Sequence, residues 1–104
     1  MTTAKRPTRP PTHPGAIWRE DILPELGLTV TSAARDLGIS RQALHNVLRA
    51  ENPAAVSPKM ALRFARLCGD DVMAGLWIRM QAAYDLWHAS QTVRLDAIPV
   101  RAGL

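Results

Sequence analysis

The sequence has a single cysteine, Cys68, so no disulfide can form within the chain. Its longest apolar run, Val72 to Ile78, is about a third of the length that crosses a bilayer and is interrupted by Gly75. Nothing at its start resembles a secretory apolar segment. With the lone thiol, this leads us to expect a reducing intracellular compartment and no membrane association. There is no glycine-rich phosphate loop. His13, His45 and His88 stand too far apart in sequence for a local zinc motif. Cys68 falls on the packed side of a predicted helix, where a thiol is usually an inert small hydrophobe. No catalytic residue, metal ligand or cofactor is therefore expected.

What is present fits one small domain. A chain of 104 residues is too short to be divided into two self-sufficient cores. It is 47% hydrophobic and 21% charged, with thirteen Lys and Arg against nine Asp and Glu, for a net charge of +4. That excess favours polyanionic partners. It is also unevenly distributed: from Arg41 to Arg66 there are five basic residues (Arg41, Arg49, Lys59, Arg63, Arg66) and one acid, Glu51. Four of the eight prolines lie in the first fourteen residues, among Lys5, Arg6 and Arg9. Residues 1–13 read as a mobile basic arm, which would either lie on phosphates or simply aid solubility. Residues 14–90 form the domain, and 91–104 a tail with either a short strand at Val93 to Leu95 or no regular structure.

Five helices are predicted. Ile17, Trp18 and Ile22 have helical spacing, and Pro24 and Gly27 close a first helix of roughly Gly15 to Leu23. Thr29 caps a second, with apolar Ala33, Ala34 and Leu37, that ends at Gly38. Ser40 caps a third from Arg41 to about Leu48. Ser57 and Pro58 start a fourth, which runs to about Cys68. The last should span about Val72 to Ala89, with a stripe of Met73, Leu76, Trp77, Met80, Tyr84 and Trp87. Ile78, Ala82, Ala83 and Leu86 widen that apolar surface beyond what a single packed face needs. The helix is therefore either sunk in its own core or a dimer contact, through Leu76, Trp77, Met80, Tyr84 and Trp87.

The connection Gly38 to Ser40 is so short that helices two and three must cross steeply, as in a helix-turn-helix. The third helix turns Ala43, Leu44, Val47 and Leu48 inward and shows Arg41, Gln42, His45, Asn46 and Arg49 outward. These residue types suit base edges in the major groove: Gln or Asn can pair with adenine, and Arg with guanine. Helix N-termini at Thr29 and Ser40, with Lys59 and Arg63 nearby, would hold phosphates.

The blocks "HPGAIWREDILPELGLTVTSAARDLGISRQALHNVL", "AAVSPKMALRFARLCG" and "LWIRMQAAYDLW", in that order, resemble the HigA-like antitoxins of the Xre-type helix-turn-helix family. The match covers about residues 13 to 87. The loop after the third helix, with "ENP", is longer here than is usual in the family. The resemblance implies an all-α, lambda-repressor-like domain in the bacterial cytoplasm. Such a protein is a homodimer that binds a palindromic double-stranded DNA operator to repress its own operon, and it neutralises a HigB-like toxin that cleaves mRNA. DNA-reading positions carry over to Arg41, Gln42, His45 and Asn46, with Ser40 and Thr29 at the phosphates. The alternatives are a stand-alone Xre-type regulator without a toxin and an interaction module that no longer binds DNA.

Overall fold

The computed structural model describes residues 9–103. Residues 1–8 of the predicted arm, with Lys5 and Arg6, lie outside the described residues. Helix α1 covers residues 14–26 in three parts: an α-helical turn Pro14–Ile17, a π-helical stretch Trp18–Ile22 and a final α-helical turn Leu23–Leu26. Pro24 explains the middle part. It lacks an N–H, and in a regular α-helix its ring would collide with the carbonyl of residue 20. The wide turn, in which the Leu23 N–H donates to the Trp18 carbonyl, relieves that conflict. The helix therefore runs three residues past its expected end at Leu23.

Its start also differs from expectation. His13, assigned to the arm, is only 5% exposed, and its Nδ1 caps α1 by accepting the Gly15 N–H at 2.9 Å. The packed domain thus begins at His13.

Helix α2 is Val30–Leu37 and α3 is Arg41–Leu48. Thr29 and Ser32 close a reciprocal cap on α2: Thr29 Oγ1 accepts the Ser32 N–H at 3.1 Å, and Ser32 Oγ accepts the Thr29 N–H at 2.9 Å. Gly38, at φ 72°, ends α2 in the left-handed conformation that a side chain disfavours, and the Ile39 N–H reaches back to the Ala34 carbonyl at 3.0 Å. That bond sets the sharp turn into α3. Helix α4 is Pro58–Leu67, α5 is Met73–Ser90, and a short 3-10 turn, Leu95–Ala97, follows. No strand forms among the described residues.

The core forms where α1, α2, α3 and α4 meet the first half of α5. Trp18 stacks on Phe64 with ring centroids 4.0 Å apart and meets Trp77 edge-on at 6.0 Å. Leu44, Val47, Leu48 and Leu37 complete it from the helix-turn-helix, with Ala33 and Ala34 small enough to let α2 lie close. Each buried Leu, Val or Phe side chain contributes about 1.5–3 kcal/mol. Gly15 lies against α3 so closely that a Cβ there would stand 2.0 Å from the Val47 carbonyl oxygen. The start of α1 thereby rests on the back of α3.

Candidate nucleic-acid interface

With Leu44, Val47 and Leu48 buried, the 3.6-residue period leaves Arg41, Gln42 and His45 exposed on α3, with Asn46 half-buried at the edge. Ser40 Oγ accepts the Ala43 N–H at 3.0 Å, fixing the start of the helix. Gln42 Nε2 donates to Asn46 Oδ1 at 2.8 Å. Beside this face lies a shallow cavity of about 420 Å³ lined by Val30, Arg41, Gln42 and His45. A second, of about 360 Å³, shares Val30 and His45 and continues past Thr29 to Arg19 and Arg49. Together they form one furrow between the N-terminus of α2 and the outer side of α3. Arg41 lies at one end and Arg49 at the other, and no carboxylate is in the lining, although the Arg19 charge beside Arg49 is paired with Glu20.

Several expected side chains are already engaged. Arg49 turns back on the loop after α3, its Nε donating to the Asn52 carbonyl at 3.0 Å. Lys59 is exposed in the first turn of α4. Arg63, expected at a phosphate, is exposed and also bonds within the domain, its Nη1 donating to the Leu37 carbonyl at 2.7 Å. A cation at the last carbonyls of α2 complements the negative end of that helix.

The expected dimer stripe on α5 divides in the same way. Trp77 is 2% exposed and belongs to the chain's own core, so it faces no partner; Met80 packs against that core. Leu76, Tyr84 and Trp87 are half-buried, and Leu86 is 72% exposed. The Tyr84 ring lies between His13, edge-on at 4.9 Å, and His88 at 4.2 Å.

Three residues that hold the site went unpredicted. Arg19 Nη1 donates to the Leu48 carbonyl and so caps α3 from α1, while its Nη2 pairs with Glu20 at 2.9 Å. Gln81, buried in α5, accepts the Val56 N–H through Oε1 at 2.8 Å and donates from Nε2 to Asp85 at 2.9 Å. This bond anchors the long α3–α4 loop, whose Ala54 N–H donates to the Asn46 carbonyl at 2.7 Å. The third is His13. Burial pushes its imidazole pKa below the ordinary 6.5, an effect only partly offset by the Ala54 carbonyl and the Asp85 charge. Gly15 beside His13 was the available signal for a tight approach; no comparable signal marked Gln81, which is one of several polar residues in α5.

Burial, helped by Asp70, raises the Cys68 pKa and keeps the thiol protonated. No group of three or more His, Cys, Asp or Glu able to hold a metal occurs among the described residues. No helix of the described residues is long and apolar enough to cross a membrane.

No family model matches the chain. It is 35% identical over 82 residues to virulence-associated protein I of Dichelobacter nodosus, spanning 79% of this chain and 72% of that protein. It is 31% identical over 90 residues to the uncharacterized HTH-type transcriptional regulator YbaQ of Escherichia coli, spanning 86% and 76%. Among solved structures, antitoxin GraA superposes with a TM-score of 0.75 at 33% identity, over 92% of this chain and 99% of that one. Antitoxin HigA of Pseudomonas aeruginosa with the higBA promoter does so with a TM-score of 0.76 at 26% identity, over 90% and 99%.

Proposed function

This chain belongs to the HigA-like antitoxins of the Xre-type helix-turn-helix family, and from that membership we propose that it is the antitoxin of a type II pair which represses its own operon. A homodimer sets α3 of each protomer into successive major grooves of a palindromic operator, about one helical turn apart. Arg41, Gln42 and His45 face the base edges, with Asn46 at their side. Thr29, Ser40 and Lys59 stand at phosphates, where they set affinity and register without reading sequence. Arg49 contributes at the rim of the furrow, and Arg63 serves α2 instead. A HigB-like toxin occupies a separate surface. The protein acts by occupancy, not by catalysis, in the bacterial cytoplasm.

The observation that carries this reading is the exposed polar face of α3 beside a furrow that has arginines and no carboxylate. Binding to the gene's own promoter should be specific and should weaken steeply with salt, because neutralised phosphates release counterions. The Gln42→Ala, Asn46→Ala double variant should keep its helical circular dichroism and lose most of that specificity. Unchanged affinity and specificity in a shift assay would remove α3 as the reading helix.

The relative named as an HTH-type transcriptional regulator favours a second reading, a regulator with no toxin. Co-expression with the product of the adjacent open reading frame decides between them: rescue of growth and co-purification support the antitoxin, and neither is expected of a stand-alone regulator.

A further inference from the structure

Two of the outward side chains of α3 are joined to each other. Gln42 and Asn46 lie one helical turn apart, and the 2.8 Å bond from Gln42 Nε2 to Asn46 Oδ1 closes that turn on its exposed side. A carboxamide offers one acceptor oxygen and two N–H donors, so the bond gives the two residues different capacities. Gln42 keeps its oxygen and one N–H. That donor and acceptor together match adenine, which accepts at N7 and donates from N6. The Asn46 oxygen, in contrast, is turned along the helix toward Gln42. What Asn46 presents beyond it is the amide nitrogen, a donor only. Donors match the N7 and O6 of guanine or the O4 of thymine, and do not make the two-way pairing with adenine. Asn46 is also held from behind, because its backbone carbonyl accepts the Ala54 N–H at 2.7 Å and the side chain is half-buried.

We propose that Gln42 and Asn46 form one reading unit of fixed polarity, in which Gln42 takes an adenine and Asn46 donates to a guanine or thymine on the neighbouring base pair. The proposal rests on the DNA-binding reading above and adds what that reading leaves open: which bases lie side by side in the half-site, and that the two residues cannot be exchanged.

The test is a double-mutant cycle on the gene's own promoter, with wild type, Gln42→Ala, Asn46→Ala and the double variant at one salt concentration. It is repeated on operators in which each base pair of the half-site is replaced in turn. Each single variant should weaken binding about tenfold or more. The double variant should fall within about twofold of the worse single one, since removing either partner already releases the other. Gln42→Ala should relax discrimination at two adjacent base pairs. Asn46→Asp is the second arm: its carboxylate still accepts from Gln42 but has no donor. It should keep the adenine preference and lose the preference for guanine or thymine beside it.

Losses that multiply, with each variant relaxing one position of its own, would overturn the coupled unit while leaving DNA binding intact. So would loss of the adenine preference in a folded Asn46→Asp. A wild-type protein that does not prefer its promoter over unrelated DNA would instead remove the DNA-binding reading and this proposal with it.

Discussion

His13 shows how much depends on a single buried polar side chain. Its Nδ1 caps α1 as a neutral acceptor, and burial lowers its pKa. The unfolded chain therefore binds a proton more readily than the folded one. The stabilisation is complete above the unfolded value of about 6.5 and is lost as pH falls from there through the lower folded value. Thermal melts of wild type should drop across that window. Those of His13→Asn, which keeps a capping oxygen and does not titrate, should drop less. Two residues on, Gly15→Ala would force a Cβ against the Val47 backbone, where no side chain can yield. A loss of about 3 kcal/mol in denaturant unfolding is expected.

Two of the helices are held at their ends by side chains from other helices as well as by their own N-caps. Arg19 and Arg63 hold the last carbonyls of α3 and α2 from α1 and α4. Arg63→Ala should reduce stability by about 1–2 kcal/mol and leave the salt dependence of operator binding unchanged. Lys59→Ala should show the converse, lowering the logarithmic salt slope by about one with no change in melting. Measuring both separates a helix cap from a phosphate contact. Gln81→Met would leave the Val56 N–H buried without an acceptor, at a cost of about 1–3 kcal/mol. Because the same loop bonds to Asn46, weaker operator binding should accompany it.

Seen whole, the described residues measure 51 × 26 × 22 Å, with Val93, Leu95, Ile98 and Val100 exposed beyond the end of α5. The long apolar α5 is thus divided in its exposure. Trp77 and Gln81 bury themselves within the chain, and Leu86 remains 72% exposed for the proposed second copy. Leu86→Asp should shift sedimentation from dimer to monomer and weaken binding to a two-half-site operator far more than to a single half-site. A dimer that survives the substitution would place the interface elsewhere.

The five helices, the Gly38 turn and the outward face of α3 were legible in the residue order. Caps, glycine at a left-handed position and a 3.6-residue apolar period act within a few residues of one another, so a linear reading captures them. The predicted helix ended at Leu23 because Pro24 follows it, whereas the folded helix absorbs that proline by widening the turn before it. It also could not rank the apolar residues of α5: periodicity marks a stripe without saying which part of it meets the first four helices. The roles of Arg63, Arg19, Gln81 and His13 depend on helix ends and loops brought together from distant parts of the chain. A long polar side chain binds whichever unsatisfied backbone group lies within reach, and that is settled only when the helices have packed.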